Sequence, residues 1–385
     1  MTKKTFILLL TFNLLTVGLY AQGYERYKAL KDTTIASKYL GFKKEISILV
    51  PIEWQKELKN NFPLTIIFDR QNQRSNKYII NTIDYLTSNE LIPSSIIISV
   101  QSEQRYRYAE TQYKISDPNG LALENEKFIF DELIPLAEKT YKASPFRLLI
   151  GHSRYGYFTT SLFNSRKNDL NAVIAMSPFF IQKNVDLTDS IYKLNKRTNS
   201  KKYYRFAIGN DFPEDFNKMD SALSKLDFNP LLDLKGFRFK EAGHNATPGL
   251  LVSTALYEIF AEWSAIQAKY SSIAQKDLSI KTSLDQEILS NYGTKLNFSL
   301  GVLNGKGWHF YNERQYDKAI QAWQILMTSY PNFSEGYLHI LKAQVQLKHN
   351  YRKTVEDFIK SLATSEFYTE KAKKELMEEL KEIIK

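Results

Sequence analysis

The sequence predicts an α/β domain built on a mainly parallel sheet, followed by a small all-α unit. Three observations carry that expectation. Short apolar, β-rich runs alternate with helix-period segments from about residue 30 to 268, the pattern of βαβ units. Runs such as Ile96-Ile97-Ile98 lack polar alternation, as strands covered on both faces do. Beyond residue 298 the periodicity is wholly helical.

Taken in chain order, strands are expected at 46–50, 64–69, 96–100, 147–151, 172–176, 204–209 and 237–240. Helices are expected between them at 77–86, 124–141, 157–166 and 219–225, with a last one at 250–269. Residues 269–298 are more polar and have no strong period, so they are expected to form a linker or an irregular crossing segment. In residues 299–385, Gly307, Phe310, Ala319, Trp323 and Pro331 fit the small, aromatic and proline positions of a tetratricopeptide unit, whose period is about 34 residues. Tyr316 and Tyr351 are 35 apart, as are Trp323 and Phe358, which marks a second unit with a one-residue insertion. A tetratricopeptide-like pair closed by a charged helix at 370–385, leaning on the first domain, is therefore expected.

Composition narrows the class. With 385 residues, 43% of them hydrophobic and 14% aromatic, the chain has ample material for a core and is not a disordered or fibrous sequence. Lys3 and Lys4 precede an apolar stretch over 5–20 that ends in Leu19-Tyr20-Ala21, the order of a secretory signal. That stretch, with roughly 15 apolar residues, is short of the ~20 needed to span a bilayer. Residues 1–21 are accordingly expected to be removed on export, to the periplasm or beyond, leaving no stable membrane span. The absence of cysteine excludes a lipidated cysteine, disulfide staples and thiol chemistry. The formal net charge of +10 becomes +8 without Lys3 and Lys4. Lysines are spread along the chain, and Lys371, Lys373 and Lys374 fall among glutamates, so no nucleic-acid partner is expected.

The chemistry centres on Gly151-His152-Ser153-Arg154-Tyr155-Gly156, which follows the apolar Leu148-Leu149-Ile150. A strand that breaks into a sharp turn and then a helix lifts a serine to the sheet edge, where it can meet a histidine and two backbone amides, as in the G-x-S-x-G elbow. Tyr155 stands where the second glycine of that pattern is expected. Of five histidines, three (His309, His339, His349) lie in the helical tail and His152 adjoins the serine. Elimination leaves His244, on the loop after the last expected strand, as the base. The acid then follows the penultimate strand: Asp211 first, Glu214 next and Asp215 after it. The amide of Arg154 and one from the loop after an early strand, Arg70 with Gln71 as the alternative, are the candidate oxyanion donors. No His, Asp or Glu cluster has ligand spacing, so neither a metal nor another cofactor is expected.

Further stretches carry a resemblance: Pro63-Leu64-Thr65-Ile66-Ile67-Phe68-Asp69, Phe130-Asp131-Glu132-Leu133-Ile134-Pro135, Ile150-Gly151-His152-Ser153, Ala175-Met176-Ser177-Pro178-Phe179 and Gly243-His244-Asn245. In their order and spacing, over roughly 40–265, the chain resembles the esterase family of α/β-hydrolases that includes esterase D, feruloyl esterases, enterochelin-type siderophore esterases and mycolyltransferases. It is most similar to the exported siderophore-esterase branch with an appended helical repeat. The resemblance implies an α/β-hydrolase fold and hydrolysis of a small-molecule carboxylic ester through a Ser-His-Asp acyl-enzyme. It also implies that Arg105, on an arginine-bearing loop, lies near the substrate; Tyr155, a large residue where the family has a small one, is expected to reshape the pocket and to be a second substrate contact. Two features depart from the family: Tyr155 itself, and Asp69-Arg70-Gln71-Asn72 in place of a glycine-rich oxyanion segment. Two other readings stay open: acyl transfer by the same residues, and a catalytically degenerate module that binds a ligand, or a protein partner through its helical repeats.

Overall fold

A computed structural model of the chain describes residues 24–56, 61–166, 168–195 and 201–385. The expected signal, 1–21, lies outside the described residues. Within them, strands β1 (Tyr27–Ala29), β2 (Thr33–Ala36), β3 (Lys43–Pro51), β4 (Phe62–Phe68), β5 (Ile96–Val100), β6 (Ala143–His152), β7 (Ala172–Met176), β10 (Lys202–Ile208) and β11 (Leu232–Arg238) form one sheet. The small hairpin of β8 (Ile181–Gln182) and β9 (Val185–Asp186) stands apart from it. The sheet order is β1-β3-β5-β4-β6-β7-β10-β11, with β2 also on β3. Pairs from β5 through β11 are parallel, and β1, β2 and β5 run antiparallel to β3. Every residue of β4, β5, β7 and β10 is buried, because helices cover both faces and leave no side of these strands for water.

The helices are α1 (Gln73–Ser88), α2 (Gln104–Arg107), α3 (Ala122–Lys127), α4 (Ile134–Tyr141), α5 (Arg154–Ser165), α6 (Leu187–Asn195), α7 (Pro213–Ser224), α8 (Thr247–Ile259) and α9 (Ala261–Ser271). A π-helical turn, Phe128–Leu133, joins α3 to α4, so the helix expected at 124–141 is continuous but locally underwound. The helix expected at 250–269 is two, broken at Phe260. The last sheet strand lies five residues earlier than expected and is only partly buried, which dilutes its apolar signal.

Residues 269–298 are not an irregular crossing. They carry α10 (Ile280–Tyr292), whose polar face hid its period while Leu284, Ile288 and Tyr292 are buried. The Tyr292 ring packs on Phe146, Tyr203 and Phe260 at centroid distances of 5.9, 5.7 and 5.9 Å. Its hydroxyl donates to Ile259 O at 3.1 Å and accepts from the Trp263 amide at 3.0 Å.

The tail is helical throughout: α11 (Leu300–Asn312), α12 (Tyr316–Ser329), α13 (Glu335–Gln346), α14 (Arg352–Thr364) and α15 (Glu370–Ile383). One apolar cluster runs without a break from the α1/α8 face of the sheet, through Tyr292, to Phe310, Trp323 and Ile340 of the tail. Polar ties cross the same boundary, with Asn332 Nδ2 donating to Glu53 O at 2.9 Å and Gln55 Nε2 to Thr364 O at 3.0 Å. A smaller cluster of Leu338, Leu341, Phe358, Leu362, Leu376 and Leu380 closes the chain's end.

His339 on α13 sits among Trp308, Trp323 and Phe333, 7% exposed, with neither ring nitrogen hydrogen-bonded among the described residues. Burial, helped by the Lys342 ammonium, pushes its pKa from 6.5 down to about 3. The folded chain holds this ring neutral where the unfolded chain protonates it. Its contribution is therefore intact above pH 6.5 and is lost as the pH falls toward 3. His339→Leu should remove a loss of about 2 kcal/mol between pH 7 and pH 5. Urea midpoints at the two pH values measure it, and a pH dependence equal to wild type would contradict this account.

Candidate active site

Ser153 occupies the turn between β6 and α5 at φ 59°, ψ −118°, a conformation that L-residues reach only when the surroundings enforce it. Its amide donates to Met176 O at 2.8 Å, tying the turn to the end of β7. Gly151 makes the turn sterically feasible: a Cβ there would lie 2.3 Å from Tyr155 O, so the strand and the first helical turn meet backbone to backbone. Arg154 is the first residue of α5, where a backbone N–H has no intrahelical acceptor. The Ser153 side chain makes no capping hydrogen bond to the helix that follows it.

Asp211 and His244 come together as expected. Asp211 follows β10 and His244 follows β11, and His244 Nδ1 donates to Asp211 Oδ2 at 2.6 Å. Gly209 permits this: a Cβ there would lie 2.1 Å from Ala242 O, so the two loops touch. Asn210 N also donates to Ala242 O at 2.7 Å. Burial raises the Asp211 carboxyl, but the hydrogen bond from His244, with the backbone amide of Asp211 itself, outweighs it and holds the pKa below the usual aspartate value. The group is thus a carboxylate at neutral pH, fixing the imidazole with Nδ1 protonated and Nε2 free to accept a proton. Glu214 is exposed, and Asp215 is engaged by the Phe180 amide at 2.6 Å, so neither alternative acid reaches the ring.

His152, set aside on the sequence because it adjoins the serine, anchors this loop. Its Nε2–H donates to His244 O at 3.1 Å, and the two rings lie 4.6 Å apart. Ser177 Oγ and Thr247 Oγ1 reach the same carbonyl at 3.3 and 3.1 Å. Burial lowers the His152 pKa to about 4, so it stays neutral. Only the folded loop reveals this role, since nothing at sequence level links residues 92 positions apart.

Two expectations are corrected, those for Arg70 and Tyr155. The Arg70 amide donates to Val100 O at 3.0 Å and is not available to a ligand, whereas the Gln71 amide has no acceptor among the described residues. The side chain of Arg70 is also occupied, by Asp32 and by Glu45 at 3.7 Å. Arg105 is 69% exposed in its side chain, pairs with Glu103 at 2.8 Å and lies over the Tyr106 ring. Tyr155 does not border a pocket. It is fully buried beneath the elbow, stacked on Phe68 at 4.6 Å, with its hydroxyl donating to Glu110 Oε2 at 2.5 Å and bonded to Ser102 Oγ at 2.8 Å. A phenol is accommodated there because the space below the turn is lined with polar partners for it.

The segment Asp69-Arg70-Gln71-Asn72 keeps its shape without glycine. Asp69 takes φ 62°, and Arg107 clamps its carboxylate with two bonds of 2.7 and 2.6 Å. Gln71 bridges Asp69 and the Ser102 amide at 2.9 Å each.

A mainly parallel sheet, a serine elbow after β6, and an acid and a histidine on the next loops in the order Ser, Asp, His define an α/β-hydrolase fold. Within that class the chain belongs to the family described as "Putative esterase", whose model matches residues 37–230, 194 of the 385 residues; it is a carboxylic ester hydrolase. That match ends before β11 and His244. Among solved structures, an uncharacterised protein from Capnocytophaga ochracea DSM 7271 aligns at 12% identity and TM-score 0.59, over 92% of this chain and 99% of the other. An IroE-like serine hydrolase from Shewanella oneidensis aligns at 17% and 0.61, over 80% and 99%. At these identities the likeness is one of fold, and the 92% coverage extends it into the helical tail. No curated protein matches the sequence.

Proposed function

We propose that this protein is an exported serine esterase working through a Ser153–His244–Asp211 triad on a small-molecule ester. The observation that carries the reading is the 2.6 Å His244–Asp211 bond on the loops beside the strained Ser153 turn. Ser153 Oγ attacks the ester carbonyl while His244 Nε2 takes its proton and returns it to the leaving alcohol. Asp211 holds the imidazole and stabilises its charged form. The amides of Arg154 and Gln71 hold the oxyanion, and water then cleaves the acyl-enzyme. The serine hydrolase from S. oneidensis, similar over four-fifths of this chain, supports the same chemistry. The basic-then-apolar start of the sequence supports export, and the small and aromatic positions of α11 and α12 support a tetratricopeptide-like tail. There a Cβ at Gly307 would meet the Trp323 ring at 2.1 Å.

Labelling tests the assignment. The mature chain treated with a fluorophosphonate should gain one adduct, located at Ser153 by peptide mass spectrometry, in step with loss of p-nitrophenyl butyrate hydrolysis. Hydrolysis that survives labelling, or an adduct on another serine, would reject it and favour the binding-module reading.

A further inference from the structure

Four arginines stand on the loops that follow β4, β5 and β6, and the structure separates them. Arg70 pairs with Asp32 and Glu45, Arg105 with Glu103, and Arg107 with Asp69. Among the described residues, Arg154 alone of the four has no carboxylate partner. Its guanidinium lies 3.3 Å from the centroid of the Tyr108 ring, and its Nη1 donates to the neutral Thr111 Oγ1 at 3.5 Å. Burial lowers its pKa, as expected for a cation short of compensation.

Its position relative to His244 gives that charge a direction. From His244 a row of rings runs through Phe212, 5.8 Å away, to Phe179, 6.0 Å further, and the Arg154 guanidinium lies 5.8 Å from Phe179. Tyr157 stacks on Phe179 at 5.1 Å, and its hydroxyl has no partner among the described residues. The strip thus has the His244 imidazole at one end, apolar rings along its length and an unneutralised cation at the other.

Resting on the triad reading above, we propose that this strip selects esters whose acyl group ends in a second carboxylate, that is, half-esters of short dicarboxylic acids. The methylene chain lies along Phe212 and Phe179, and the free carboxylate takes the planar fork of Arg154, which presents parallel N–H donors to both oxygens. The group cleaved is an ordinary ester: Ser153 Oγ forms the acyl bond, the alcohol leaves with the proton from His244, and water restores the serine.

The test uses p-nitrophenyl half-esters of succinic, glutaric and adipic acids, each against the neutral p-nitrophenyl ester of matching chain length. In the wild-type chain, kcat/KM for at least one half-ester should exceed that for its neutral partner by about tenfold or more, the worth of one charge-assisted contact. Arg154→Gln should bring the ratio to about one, and Arg154→Lys should keep part of it, since a point cation lacks only the fork. A ratio unchanged in Arg154→Gln would overturn the proposal while leaving the triad standing. A second arm is independent of turnover: calorimetry of monoethyl glutarate with Ser153→Ala should show binding that is lost in Ser153→Ala/Arg154→Gln. Equal binding by the two variants, or equal binding of ethyl valerate and monoethyl glutarate, would also overturn it. If no ester is cleaved but this binding holds, the triad reading fails and the anion site survives.

Discussion

Ser153→Ala and His244→Ala are each expected to reduce kcat for a p-nitrophenyl ester by about 10⁶, and the double variant to do no worse than either. In the proposed mechanism the two groups act in one step, so removing either removes the attack, and what survives is the contribution of oxyanion donors and binding. Asp211→Asn is expected to cost about 10⁴, because the amide does not enforce an Nδ1–H tautomer at the 2.6 Å contact now made to His244. Glu214→Ala, at an exposed position, should change nothing. Steady-state kinetics on variants with wild-type circular dichroism reads all five. Multiplying losses in the double variant, or activity retained without the serine hydroxyl, would refute a shared step.

The second large effect is on stability. Under the elbow, the Lys44 ammonium, 2% exposed in its side chain, bonds both Glu110 oxygens at 2.8 and 2.9 Å, and Tyr155 bonds the same carboxylate. Asn125 Nδ2 fixes the Glu110 carbonyl at 3.0 Å. A buried pair of this kind adds little over an apolar filling, but removing one partner strands the other charge. Glu110→Ala should therefore destabilise the fold by about 3–5 kcal/mol, read from urea midpoints. The triple variant Lys44→Met/Glu110→Leu/Tyr155→Phe, which removes both charges and the phenol hydroxyl, should recover most of that loss. A single variant within ~1 kcal/mol of wild type would refute the account. Because Tyr155 belongs to the first turn of α5, the single variant should also disturb the geometry at Ser153.

What was legible in the sequence follows from periodicity and from chain order. Strands buried on both faces announce themselves as unbroken apolar runs, so β4 to β7 and β10 were located to within a few residues. Ser153, His244 and Asp211 are candidates on sequence because one serine sits on a strand-to-helix break, one histidine remains by elimination, and the acid is expected after the strand between them; the structure pairs the last two at 2.6 Å. The half-exposed β11 and the polar-faced α10 were misplaced or missed because their signal depends on which side of the element another layer covers.

The sequence by itself determined the layer architecture and the order of the reacting groups, since both are properties of pattern along one dimension. Tertiary structure alone decided which backbone amides stay free and which arginine keeps an unpaired charge. It also decided whether residue 155 faces a ligand or the interior. Each of these depends on partners distant in the chain: Val100 takes the Arg70 amide, Asp69 takes Arg107, and Glu110 takes Tyr155. Hydrogen bonds and ion pairs saturate, so a group's availability is fixed only when all its neighbours are in place.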